Sequence, residues 1–392
     1  MIVSSTIEEP SLTHGRQAVV VDPRGRHLFG PFVDFFCLGG GSLLVFSVLL
    51  ALPPIDGLRA QIVAVTAVLM YVINQPHFAN SYQIFYFGFL RKAFGGEYDT
   101  VLRARYIVAG IIVPIVLLLF FAAAIVSENV RMLAFGANIM LFLVGWHYAK
   151  QGYGIIIVDS VLKRRFFTDR EKRILLINAY ACWALYWLFA NWLISSRSLW
   201  GFQYYSFAIP DAVLYCAAFV AAVTTATTLF MLAKKWRTTG SPPPVNGTVG
   251  YLTTLYAWLL FGRFEPILML VVPAFHSLQY LLVVSRYRLN LDNARADGAD
   301  RPSLGILTRL FPSKALVRFA RFTAIGLALG YIGFWGMPKV FSSGIPYDHG
   351  VFGDGMFFFV LWIFINVHHY FLDNVIWRRE SPDTGKYLFA HC

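Results

Sequence analysis

Between residues 32 and 377 the chain is a succession of apolar stretches, each near the roughly 20 residues needed to cross a bilayer, separated by short polar or basic segments. No water-soluble fold calls for that pattern. With 57% hydrophobic and 14% charged residues, against about 25% charged in soluble domains, this is the composition of an integral membrane protein. In hydrocarbon each backbone N–H and C=O must be satisfied within its own segment, so spans of this length are helices. The expected fold is all-α and polytopic.

The apolar runs place about ten transmembrane helices, near 32–52, 58–90, 105–126, 132–158, 174–195, 207–233, 247–262, 264–285, 320–340 and 351–377. Residues 1–31 form an N-terminal cytoplasmic segment, 32–377 the membrane domain and 378–392 a cytoplasmic tail. The first 30 residues are polar and lack the apolar core of a signal peptide, so the first span is expected to serve as the insertion signal. The second stretch is long for one straight helix, and Pro76 is a natural kink or re-entrant point. The boundary around Gly262 and Arg263, between the seventh and eighth spans, is the least marked.

Lys and Arg set the expected orientation. With both termini cytoplasmic, the inside segments hold 27 basic residues and the outside loops five (Arg59, Arg131, Arg197, Arg263 and Lys339), while Lys150 stays within a span. That bias predicts both ends inside, in a multi-pass protein of the cell inner (plasma) membrane. The net charge of +12 therefore belongs to membrane topology, and no nucleic-acid partner is expected. The largest excursion, 286–321, ends in a stretch from Ser303 to Phe322 that mixes Leu307, Leu310, Phe311, Leu316 and Phe319 with Arg309, Lys314, Arg318 and Arg321, as a helix lying on an anionic leaflet would. Cys37, Cys182, Cys216 and Cys392 show no paired spacing, which argues against a disulfide framework or a zinc motif. The run Gly39–Gly40–Gly41 falls inside the first span, where close helix packing explains it better than phosphate binding.

Histidine is the residue that points to function. His77, His147, His276 and the pair His368–His369 all sit in apolar spans, where an ionisable group is costly and normally marks a site. In the ten-span topology all four helices are even-numbered and run outside to inside. His276 precedes Arg286, and His368 precedes Arg378, by ten residues, roughly 15 Å of helix. His147 and His77 fall at about 18 and 21 Å by the same rise. Four parallel helices thus bring imidazoles to one level, as a metal or haem centre requires. His14, His27, His349 and His391 are terminal or in loops and belong to the solvated surface.

Each of these histidines has polar company on its own helix face. Asn80 and Ser81 follow His77, Gln151 follows His147, Gln279 and Tyr280 follow His276, and Asp373 follows His369 at i+4. A metal-bound imidazole commonly donates its second N–H to such a group. The expected ligands are His77, His147, His276 and His369, with His368 as a possible fifth. Asp373, Gln151, Gln279 and Asn80 are expected to orient them. Lys150, three residues after His147, is expected to bind substrate or to relay protons, alone or with Asp373.

Imidazole suits iron, copper and zinc. The leading expectation is a metal-dependent membrane oxidoreductase: a histidine-ligated non-haem iron oxygenase or desaturase acting on a hydrophobic small molecule, served by an electron donor. Its site chemistry resembles that of the all-histidine centres of membrane desaturases and membrane carotenoid-cleaving oxygenases, although the clustered His boxes of desaturases are absent. The alternatives are a haem b electron-transfer or quinone protein, and a proton-coupled transporter in which His, Lys and Asp form a relay. Copper is the alternative metal. A histidine-based lipid transferase would leave most of these residues unexplained.

Overall fold

The computed structural model describes residues 26–51, 57–193, 198–199, 202–203, 205–264, 266–297, 314–378 and 380–389. Among them, nine helices are long and apolar enough to cross a membrane: α1 (Pro31–Ala51), α2 (Leu58–Tyr86), α3 (Thr100–Val126), α4 (Val130–Leu162), α5 (Asp169–Leu193), α6 (Asp211–Thr239), α8 (Val272–Asp297), α9 (Leu316–Gly344) and α10 (Met356–Ile376). The seventh expected span is a helix too, α7, over residues 245–264, less apolar than the rest. Short helices at Phe89–Phe94, His349–Phe352 and Pro382–Leu388, a 3₁₀ helix at Pro266–Leu270 and a hairpin pairing Ser198–Leu199 with Phe202–Gln203 complete the described elements. The fold is all-α and polytopic, as expected. His14, His391, Cys392 and residues 303–313 of the expected surface helix lie outside the described residues. The remainder of that stretch is the start of the α9 helix, continuous with the span.

The low apolarity of α7 has a structural cause. Its residues Asn246, Gly247, Gly250, Tyr251, Thr253 and Thr254 are buried against protein rather than facing lipid. A Cβ on Gly250 would come within 2.6 Å of the Leu38 carbonyl oxygen, and one on Gly247 within 2.8 Å of Ile156 Cα, so glycine is what lets α7 approach α1 and α4. Gly39 meets Gly250 in the same contact, which accounts for part of the glycine run in α1. Asp159 of α4 accepts the Gly247 N–H at 2.7 Å and pairs with Lys163 at 2.9 Å, so a carboxylate sits on the otherwise unsatisfied first turn of α7.

Three helices carry the same interruption. Pro76, Pro114 and Pro338 each follow a five-residue π turn, over Met70–Asn74, Val108–Ile112 and Ile332–Gly336. Proline removes the N–H that would bond four residues back, and the wider turn absorbs the defect: Gln75 N–H bonds Met70 O, Val113 N–H bonds Val108 O, and Met337 N–H bonds Ile332 O. Helix α2 therefore continues through Pro76 and is not re-entrant. It stops at Tyr86, short of the expected 90, where Phe87 turns extended and Gly88 takes the left-handed φ of 66° that glycine adopts at no steric cost.

Burial sorts centre from periphery. The apolar window of α10 is 72% buried and that of α8 56%, against 22% for α3 and α6 and 17% for α9. Contacts along the axis show that the histidine-bearing helices run in parallel. Residues following the histidines (Ile84, Val284, Leu372 and Ile376) share one apolar cluster, whereas Leu133, Ala137 and Met140, preceding His147, share another with Met356, Phe359 and Ile363, preceding His369. Helices α4 and α8 can run the same way only if the chain reverses an even number of times between them, and that requires α7 to be a complete pass.

Candidate metal centre

Helices α2, α4, α8 and α10 bring their histidines to one point. The rings of His77 and His369 are 4.5 Å apart between centroids, those of His147 and His369 5.0 Å, and those of His147 and His77 6.2 Å. His276 lies 5.2 Å from His77 and 5.0 Å from His147. All four are buried. His276 stands in the second turn of α8, whose first turn holds Pro273, a position where the missing N–H costs nothing.

The hydrogen bonds around the cluster show where its lone pairs point. His77 Nδ1 is 2.8 Å from Ser277 Oγ, and the Ser277 hydroxyl donates to Asn74 Oδ1 at 2.7 Å. With that hydrogen spent, Ser277 is the acceptor, Nδ1 carries the ring proton, and His77 Nε2 presents a bare lone pair. Asp373 is held in a similar way. Its Oδ1 accepts from Ser81 Oγ at 2.7 Å and Tyr280 OH at 3.1 Å, and those two hydroxyls also touch each other. Its Oδ2 is turned to the histidines, 3.4 Å from His369 Nε2 and 3.9 Å from His147 Nε2.

Asp373 Oδ2, His77 Nε2, His147 Nε2, His276 Nδ1 and both nitrogens of His369 are buried with no hydrogen-bond partner among the described residues. Buried polar atoms are nearly always paired, so several orphans converging on one point call for an explanation. A cation bound among them would satisfy them together. One ligand atom from each of His77, His147, His369 and Asp373 lies within 4.8 Å of all the others. A tetrahedral shell at about 2.1 Å from a metal has ligand–ligand edges of about 3.4 Å, so the two carboxylate–imidazole separations, 3.4 and 3.9 Å, need little adjustment. Three neutral imidazoles and one carboxylate suit a divalent first-row metal. They also leave the buried carboxylate charge to be balanced by the ion.

The structure sorts the remaining expected site residues. His368 is buried but spent: Nε2 donates to Ala109 O at 3.0 Å and Nδ1 accepts from Tyr82 OH at 2.8 Å, so it packs α10 against α2 and α3 and is not a ligand. His276 joins the cluster, its ring stacked on Tyr148 at 3.8 Å, outside the tightest group of donor atoms. Gln151 and Gln279 do not bond imidazole nitrogens. Gln151 Nε2 donates to His276 O at 2.8 Å and to Gln279 Oε1 at 3.0 Å, while Gln279 Nε2 donates to Leu38 O at 2.7 Å. With a further bond from Gln279 Nε2 to Thr254 Oγ1 at 3.2 Å, they tie α1, α4, α7 and α8 together beneath the centre.

Asn80 points elsewhere. It accepts from Gln83 Nε2 at 3.1 Å and would touch any Cβ at Gly326, which places it in the α2–α9 contact. Lys150 is half-buried, with Nζ 5.8 Å from the ring of Tyr153 on its own helix, and is not part of the cluster. Asp373 is closer to the metal site than an orienting role requires, since it offers an oxygen of its own. The orienting groups are Ser81, Tyr280, Ser277 and Asn74. Ser81 and Tyr280 carried a signal in the sequence, the i+4 spacing from His77 and His276 that Asp373 has from His369. Nothing in the sequence marks Ser277 or Asn74 as partners.

Comparison with protein-family models, with curated proteins and with solved structures found no match for this chain.

Proposed function

We propose that this protein is a membrane-embedded, metal-dependent oxidoreductase whose non-haem iron is held by His77, His147, His369 and Asp373, with His276 alongside. The observation that supports it is the convergence of unpartnered nitrogen and carboxylate atoms from parallel helices. Imidazole with one carboxylate is a ligand set that iron shares with its oxygen-activating chemistry, and the same set also accepts copper, manganese or zinc. A bound iron would supply the redox step. The protein's own part is to hold the donors in place: Ser81 and Tyr280 occupy Asp373 Oδ1 so that Oδ2 faces the metal, and Ser277 with Asn74 fixes the tautomer of His77. The apolar packing on both sides of the centre limits access by water and favours a substrate that arrives from lipid.

Haem fits this geometry less well. A macrocycle between any two of these rings would collide with the others, which stand 4.5 to 6.2 Å away. The expected orientation, both termini cytoplasmic in the inner (plasma) membrane, and the need for an electron donor remain part of the proposal.

The test is metal analysis and an optical spectrum of the detergent-purified protein. Near-stoichiometric iron without a Soret band, lost in Asp373→Ala, supports the reading. A Soret band replaces it with the haem reading. A protein purified without metal that also fails to take up Fe(II) anaerobically overturns the centre and leaves His and Asp as a proton relay.

A further inference from the structure

A second site lies beyond the histidine cluster, towards the C-terminal ends of α2 and α8. There the helix Phe89–Phe94 and the C-terminal helix Pro382–Leu388 border a cavity of about 80 Å³ lined by Arg91, Lys92, Arg288, Arg295, Asp383 and neighbouring apolar and tyrosine side chains. Two of the four cations already have partners: Arg91 pairs with Glu97 at 3.2 Å and Arg288 with Asp292 at 2.9 Å. The other two have no carboxylate within 4.0 Å among the described residues. Arg295 lies over the Phe87 ring at 4.6 Å. Lys92 is only 5% exposed, and its one hydrogen bond among the described residues goes to Ile84 O at 3.0 Å. Asp383, which also lines the cavity, accepts from Tyr98 OH at 3.2 Å.

An ammonium group buried with a single hydrogen-bond acceptor among the described residues leaves two N–H donors unanswered, a costly arrangement unless an anion completes it. We infer that this cavity binds a phosphate group, with Lys92 and Arg295 as its principal donors and Arg91 and Arg288 at its rim. A tetrahedral oxyanion supplies several acceptor oxygens to donors that approach from two different helices, and guanidinium with ammonium is the pairing such groups draw. The position, at the basic end of the bundle where a bilayer presents its headgroups, gives the phosphate two sources: an anionic lipid or a free phosphorylated solute. The inference does not depend on the metal centre.

The experiment uses the full chain in detergent. Binding of inorganic phosphate is measured by calorimetry, and retention of phosphatidylglycerol against phosphatidylcholine by native mass spectrometry. Lys92→Met and Arg295→Gln are each expected to weaken binding at least tenfold, with an unchanged unfolding midpoint in Arg295→Gln serving as the folding control. Retention of phosphatidylglycerol without binding of inorganic phosphate identifies a lipid headgroup. Binding of inorganic phosphate identifies a site open to free phosphate groups. Neither bound, or binding unchanged in both variants, overturns the inference.

Discussion

Two adjacent histidines show how little separates a metal ligand from a packing residue. His368 and His369 share a helix and are both buried, yet among the described residues one has both nitrogens satisfied and the other neither. The expected outcome is graded. Alanine at His77, His147, His369 or Asp373 abolishes stoichiometric metal, Ser81→Ala weakens metal affinity about 10- to 100-fold, and His368→Ala keeps the metal while loosening the helix contact; metal titration of the purified variants reads all three. Lys92 offers a separate check. Burial pushes it down from 10.5 to about 8, and of the charges around it Asp383 opposes that shift while Arg91 and Arg295 add to it; the Tyr106 ring lies 5.5 Å from its ammonium. A bound phosphate would restore the charged form, so between pH 8 and 10.5 binding takes up protons, whereas below 8 the lysine is charged before and after. Calorimetry at pH 9 in buffers of different ionisation enthalpy should show that uptake in the wild type and not in Lys92→Met.

Among the elements, sequence was most informative where one helix faces lipid and least where helices face each other. The apolar length of α3 and α6 announces them as spans, and the i+4 spacing of His77 with Ser81 and His369 with Asp373 exposes half of the centre. The choice between Asn80 and Ser81 was not legible, because neighbouring positions differ by about 100° around a helix and only the neighbouring helices decide which one meets Asp373. Nor was α7 plain, since a helix buried on several sides by protein has no need of an apolar surface. The π turn at Met70–Asn74 was visible only as Pro76, yet it sets the angle at which His77 emerges. Deleting Val72 should convert that wide turn to an ordinary one and rotate the preceding half of α2 against the rest by about 100°. The expected result is a protein that inserts but binds metal at least tenfold more weakly, measured by the same titration.

At the scale of the whole molecule, the parallel course of α2, α4, α8 and α10 makes the number of passes even. Reporter fusions at the two termini should therefore report the same side, and the expectation from the 27-to-5 distribution of basic residues is that this side is cytoplasmic. A reporter in the segment Thr239–Val245 should lie on that side and one at Gly262 on the other; equal labelling at the two positions would remove α7 from the count. The centre also has a chronology. Its ligands are spread from residue 77 to residue 373 of 392, and two of the four, His369 and Asp373, arrive together on the last span. Since a chain is made from its N-terminus, the earlier spans enter the membrane with their histidines unmatched, and the site comes into being only when translation is nearly over. On the proposed reading, metal loading would be the final act of assembly, and a chain cut short before α10 would lack two of the four donors.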